Sequence, residues 1–220
     1  MRQVQSRQPA QGHTLLELLI VMGILNLFVA GTFQFVFILQ AAQESQLRQL
    51  DQLQAVRPSL YEMLHDLRLI GYPASSNFVS TTSVLAPGMI AEGILEATAT
   101  SFVFEADVDG DGRVERIEYR MAADGTSLMR RASPKRLDGS LGIPTSDNQS
   151  FIQNLTNQTL ADPLPVFSWD VDPDSSEPFP NNISIVYVSL AIEARLDPRD
   201  PSKKKIIHLA GASRRLNPSR

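Results

Sequence analysis

Residues 11–39 read QGHTLLELLIVMGILNLFVAGTFQFVFIL, an almost unbroken apolar run with a single acidic residue, Glu17. As a helix, the part from 15 to 39 would be about 37 Å long at about 1.5 Å per residue, enough to cross a hydrocarbon core of about 30 Å. Arg2 and Arg7 precede the run, and cationic flanks stay on the cytoplasmic side of a membrane. We therefore predict a transmembrane helix over 15–39 with its N-terminus in the cytoplasm.

A plain membrane anchor does not explain Glu17. A carboxylate inside a membrane-spanning helix costs at least about 2.5–3.5 kcal/mol on insertion scales. This carboxylate is therefore expected either to remain hydrated at the membrane interface or to pair with a cation. Both interpretations are open on the residues alone.

The residues around Glu17 resemble the processing site of type IV prepilins. The shared features are a short basic leader, Gly12 before the cut, Thr14, two leucines, and an acid at the fifth position after the glycine. The resemblance implies that a prepilin peptidase cuts between Gly12 and His13 and that the new N-terminus is methylated. It also implies that the new amine and Glu17 neutralise charge between neighbouring subunits of a fibre. His13 departs from the family, which usually has phenylalanine there.

Beyond the apolar run, residues 40–56 read QAAQESQLRQLDQLQAV, with an apolar residue at every third position. That spacing predicts a helix with one buried stripe, formed by Leu47, Leu50, Leu53 and Val56. Pro58 predicts a boundary or a kink. Residues 59–73, SLYEMLHDLRLIGYP, then continue at helical spacing until Gly71 and Pro73 stop the helix. The segment LHDLRLIGYP is similar to the helix end of PilW-like minor pilins.

From residue 74 onward the pattern changes to strands. The segments TATSFVFEAD (98–107), RVERIEYRM (113–121) and TSLMRRA (126–132) alternate in polarity and predict an antiparallel meander. A long strand in NNISIVYVSLAIEARL (181–196) is apolar on both faces, so we predict that it is central, with KKKIIHLAGAS (203–213) beside it. The turn-rich stretch 133–180 is predicted to be long loops.

Together these segments predict an α+β protein of the pilin-like kind, in which a long N-terminal helix packs on a mainly antiparallel sheet. The predicted parts are a cleaved leader at 1–12, a helix at 13–72 and a β-rich periplasmic or extracellular head at 73–220.

The sequence DVDGDGRVERIE (107–118) matches the calcium-loop expression D-x-[DN]-x-[DN]-G-x5-E. The predicted calcium ligands are Asp107, Asp109, Asp111, the carbonyl of Arg113, and Glu118. The flanks are predicted strands, whereas a calcium-binding EF-hand has helices, so Glu118 could be carried away from an ion. A hairpin turn without a metal is the open alternative.

Composition excludes several classes of site and argues against others. The chain has no cysteine, which excludes disulfides and thiolate chemistry. A net charge of −4, and the absence of aromatic residues among the basic residues near the C-terminus, argue against a nucleic-acid partner. No nucleophile and base stand at a local catalytic spacing, so we predict that the protein is not an enzyme.

The resemblance implies a minor pilin that primes assembly of a type IV pilus or forms part of its tip. The expected location is the bacterial inner membrane and then the fibre. The expected partners are other minor and major pilins, the prepilin peptidase and the inner-membrane assembly platform. Two alternatives remain: a J-type pseudopilin of a type II secretion system, and a tip adhesin or calcium-responsive binding module.

Overall fold

We describe the protein from a computed structural model, which covers residues 14–74, 86–195, 200 and 203–216. Gly12 and His13 lie outside the described residues. Within the described residues, one helix, α1 (Leu15–Arg68), is followed by a short 3-10 turn (Pro87–Met89) and eight strands. The strands are β1 (Ile94–Ala97), β2 (Ser101–Ala106), β3 (Glu115–Met121), β4 (Ser127–Pro134), β5 (Ser146–Gln153), β6 (Phe167–Val171), β7 (Ile183–Arg195) and β8 (Lys204–Arg214). The coarse prediction of an α+β fold is confirmed.

The first 30 residues of α1, Leu15–Glu44, are long and apolar enough to cross a membrane, with a mean hydropathy of 2.1. Two polar side chains in this part bond to the carbonyl four residues earlier. Asn26 donates to the carbonyl of Met22, and Thr32 to that of Phe28, each at 2.8 Å. Because these groups are satisfied within the helix, they are compatible with an apolar surrounding.

Of the boundary or kink predicted at Pro58, the boundary is wrong, because α1 continues through this residue to Arg68. Proline costs about 3 kcal/mol in a helix interior. Here Val56, Leu60 and Met63 are buried on both sides of it, with exposed fractions of 9%, 6% and 0%. Burial of this face stabilises the helical conformation that the proline opposes.

The predicted buried stripe of α1 is wrong in its first half. Leu47 and Leu50 are exposed, at 59% and 52%, whereas Val56 is buried; the side chain of Leu53 lies outside the described ones. The chain divides into two compact units, Met1–Leu47 and Arg48–Arg220. The second unit therefore contains the last turns of α1 together with both sheets.

Strands β1 to β5 form one antiparallel sheet in sequence order. The predicted meander of β2, β3 and β4 is confirmed, with Phe102 opposite Tyr119 and Ile117 opposite Ala132. The apolar residues of β2 and β3 that were predicted to share a face are all buried: Phe102, Phe104, Ala106, Ile117, Tyr119 and Met121.

Strands β6, β7 and β8 form a second antiparallel sheet with β7 in the middle. The central position predicted for this long strand is confirmed, as is its pairing with β8 over 11 residue pairs. The prediction of loops over 133–180 is wrong, because this stretch contains β5 and β6. Serine, asparagine and aspartate are more typical of turns than of strands, so the composition of this stretch did not indicate β5 and β6. These strands form because they pair with β4 and β7.

Candidate functional site

The acidic loop, residues 107–115, connects β2 to β3. Asp107 organises it by accepting hydrogen bonds from the backbone N–H groups of Gly110 at 2.8 Å and Gly112 at 3.0 Å. Both glycines have positive φ angles, 75° and 83°, which residues with a side chain adopt only at a cost. The Asp-x-x-Gly-x-Gly pattern is thus sufficient to form the tight loop.

Three carboxylates meet inside this loop. One oxygen each from Asp107, Asp109 and Glu115 lie within 4.8 Å of one another. Asp107 and Glu115 are buried, with exposed fractions of 6% and 8%, and Asp109 is exposed. The sequence motif did not include Glu115. The hairpin itself could have indicated it, because β2 and β3 pair Ala106 with Glu115 and so bring the two ends of the loop together.

The predicted ligands Glu118 and Asp111 are not in this group. Glu118 lies three residues further along β3, about 10 Å from Glu115 at about 3.3 Å per residue. Its carboxylate accepts from the Nε of Arg120 at 2.6 Å. Asp111 accepts from the backbone N–H of Arg113 at 2.8 Å. The predicted role of the Arg113 carbonyl stays a prediction.

The electrostatics of the loop centre on Glu115. Burial, and to a smaller extent the charges of Asp109, Asp107 and Asp111, raise the pKa of its carboxyl group from 4.5 to about 7. A hydrogen bond from the backbone N–H of Val108, 3.2 Å from Oε2, acts in the opposite direction. Glu115 therefore holds a proton over part of the range in which an ordinary glutamate is ionised.

The donor set suits a hard cation such as Ca²⁺, because it consists of carboxylate oxygens without nitrogen or sulfur ligands. Calcium takes six to eight oxygens, whereas three carboxylates supply at most six. Both oxygens of Asp107 already accept backbone hydrogen bonds. A bound cation would need further oxygens from the backbone or water.

Stability should fall as pH rises from about 4.5 to about 7 in the presence of a chelator. In this window the folded state keeps the Glu115 proton that the unfolded state releases, so the free energy of unfolding decreases by up to about 3 kcal/mol. Below pH 4.5 both states hold the proton, and above 7 neither does. Thermal unfolding of the full chain at pH 4.5, 6 and 8 measures this. Glu115→Gln should flatten the slope, and an unchanged slope in that variant would contradict the assignment.

The second candidate site is the start of α1. Thr14 precedes the helix, and its Oγ1 accepts from the backbone N–H of Glu17 at 3.4 Å. Thr14 and Glu17 have the spacing of a capping box, and an acid in the first turn is favoured by the helix dipole. Glu17 is exposed. The helix therefore begins one residue after the cap, at the third residue after the predicted cleavage site.

Comparison of the chain with models of protein families, with curated proteins and with solved structures gave no match.

The basic residues near the C-terminus are partly engaged within the head. Lys204 pairs with Glu193 at 2.8 Å. Arg215 is 5% exposed and donates to the carbonyl of Asn181 at 2.6 Å. These contacts reduce the positive charge that is available to a nucleic acid.

Proposed function

We propose that this chain is a PilW-like minor pilin of a type IV pilus, which primes assembly or contributes to the tip. It is made as a prepilin, cut between Gly12 and His13, and held in the inner membrane by residues 15–39. The assembly platform then incorporates it into a fibre with other minor pilins and the major pilin. The proposal assigns no reaction to the chain itself.

The observation that supports this proposal best is the form of α1. The helix is capped by Thr14 and has the acidic residue Glu17 in its first turn. Its first 30 residues are apolar enough to cross a membrane, and its last turns contribute to the core of a β-rich head. Val56, Leu60, Met63 and Leu67 are all buried in that core. An anchor with a cleavable leader and no assembly role would not require Glu17.

Mass spectrometry of the protein from bacterial membranes tests the processing step. The N-terminal peptide should begin at His13 and carry an N-methyl group. Gly12→Val is the matched control, because a branched side chain in the cleavage site should leave the leader attached. A wild-type peptide that begins at Met1, or after a cut downstream of residue 39, would overturn the proposal.

Deleting the gene separates the pilus role from that of the pseudopilin. A minor pilin that primes assembly should leave few surface pili after deletion, counted by electron microscopy, with normal secretion of exoproteins. Lost secretion with normal piliation would instead support the J-type pseudopilin. Normal piliation with lost attachment would support a tip adhesin.

The acidic loop favours a second candidate function, a calcium-responsive head. If Asp107, Asp109 and Glu115 hold Ca²⁺, the melting temperature of the full chain should rise when calcium replaces the chelator. Asp109→Asn should abolish that rise, whereas Asp124→Asn, in the turn between β3 and β4, should retain it. The absence of a rise in the parent protein would remove this candidate.

A further inference from the structure

Asp66, in the last turn of α1, is bound to two strands of the five-stranded sheet. Its Oδ2 accepts from the hydroxyl of Tyr119 at 2.7 Å and from the guanidinium of Arg130 at 2.8 Å. Arg130 also donates to the Tyr119 hydroxyl at 3.1 Å. Each member of this triad therefore contacts the other two.

Two members of the triad are shielded from water, and the third, Arg130, is 16% exposed. Asp66 is 3% exposed and Tyr119 is fully buried, and the ring of Phe151 packs on Tyr119 with centroids 5.5 Å apart. Hydrogen bonds to charged groups are strong in such surroundings, and a group that loses its partner there is not resolvated. Separating α1 from the sheet would leave the buried Asp66 carboxylate without its two partners before water reaches it.

The same turns of α1 are also bound to the three-stranded sheet. The hydroxyl of Ser213, on β8, donates to the carbonyl of Leu64 at 2.9 Å. The side chain of Leu64 lies directly over Gly211, where an added Cβ would be 2.5 Å from Leu64 Cδ1. Past β8, the backbone N–H of Leu216 donates to the carbonyl of Arg68 at 3.1 Å. Residues 64–68 thus join both sheets.

We propose that residues 64–68 form a tension clamp, in which the triad of Asp66, Tyr119 and Arg130 resists withdrawal of α1 from the head. A pull on the anchor reaches the head through α1, first at the buried residues from Val56 onward and then at residues 64–68, where the helix ends. Because residues 64–68 are consecutive in one helix and contact both sheets, we expect a pull along the helix to load these contacts together. The inference goes beyond the proposed function, because it requires only that α1 is the anchor.

Single-molecule pulling on the full chain in detergent tests the clamp. The chain has no cysteine, so Gln54→Cys on α1 and Ala123→Cys in the turn between β3 and β4 provide two unique, exposed attachment points. At constant force, Asp66→Asn should accelerate the first rupture at least tenfold. Tyr119→Phe, which removes one hydroxyl, should accelerate it less.

The control is Asn157→Ala, a buried position remote from α1 in the hydrogen-bond pattern. The Asn157 side chain bonds to backbone groups of Ser189, Ala191 and Leu164, so its loss should lower the melting temperature without changing the first rupture rate. If Asn157→Ala accelerated the first rupture as much as Asp66→Asn, the triad would resist force no more than any other buried contact, and the clamp would be refuted. If Asp66→Asn does not fold, as judged by near-ultraviolet circular dichroism, the rupture rate of Tyr119→Phe alone tests the clamp. An unchanged rupture rate in that variant would then overturn the clamp.

Discussion

Replacing Glu17 with alanine should leave the protein in the membrane and reduce its amount in sheared pili at least tenfold. Removing the carboxylate lowers the cost of placing the helix start in the bilayer, so insertion should not suffer. The hydrogen bond from the backbone N–H of residue 17 to Thr14 Oγ1 does not involve the side chain, so the variant retains it. A loss of incorporation would therefore come from the missing carboxylate. Immunoblots of pilus and membrane fractions provide the measurement.

Two further variants isolate the charge of Glu17. Glu17→Gln keeps the size and polarity of the side chain, and it should fail to incorporate as Glu17→Ala does. Glu44→Ala removes the acid at the other end of the apolar part of α1, and it should incorporate normally. Normal incorporation of Glu17→Gln would refute pairing with an amine and leave helix capping as the explanation for the acid.

Replacing Lys135 with methionine should destabilise the head by about 3–5 kcal/mol, the usual cost of breaking a buried ion pair on one side. The ammonium group of Lys135 lies 2.7 Å from Glu105, and the two side chains are 2% and 0% exposed. Arg116, 3.0 Å from the other carboxylate oxygen, still neutralises part of the charge. We therefore expect the lower end of the range, seen as a fall in melting temperature of about 6–12 °C.

The double variant Lys135→Met with Glu105→Met shows whether Lys135→Met destabilises the head through the unpaired charge of Glu105 or through altered packing. It removes both buried charges and leaves Arg116, which is 34% exposed, free to turn to water. The double variant should recover much of the stability lost in Lys135→Met, because replacing a buried ion pair by apolar residues is often close to neutral. A double variant as unstable as the single one would mean that the geometry of the network, and not its charge, is required.

The parts of the fold that follow from local patterns were predictable. The alternation of Phe102, Phe104, Ile117 and Tyr119 places them on one face of the sheet whatever lies around them, and the long strand β7 is apolar enough to be central. The continuation of α1 through Pro58 could not be predicted from the local sequence, because the burial that keeps this residue helical comes from strands more than 30 residues away. The strands β5 and β6 were missed for the same reason, since their partners and not their own residues specify them.

Of the carboxylates that the calcium-loop motif singled out, Asp107 and Asp109 belong to the close group in the structure, whereas Asp111 and Glu118 do not. In an EF-hand the twelfth residue of the motif returns to the loop on a helix, but here Glu118 lies on β3, which leads away from the loop. Glu115 lies beside Asp107 and Asp109 instead, because hairpin pairing brings the two ends of the loop together. The start of α1 at Leu15 agrees with the transmembrane helix predicted from that residue, while the cleavage site lies outside the described residues.

The division of the chain at residues 47 and 48 limits how such a protein can be cut or recombined. A fragment that begins at residue 73, after the helix, would lack five apolar side chains that fill the head: Val56, Leu60, Met63, Leu67 and Ile70. Their former neighbours would face water, and such a fragment is expected to aggregate. A soluble head should begin near Arg48, and an exchange of anchors between related proteins should be tolerated only on the N-terminal side of that residue.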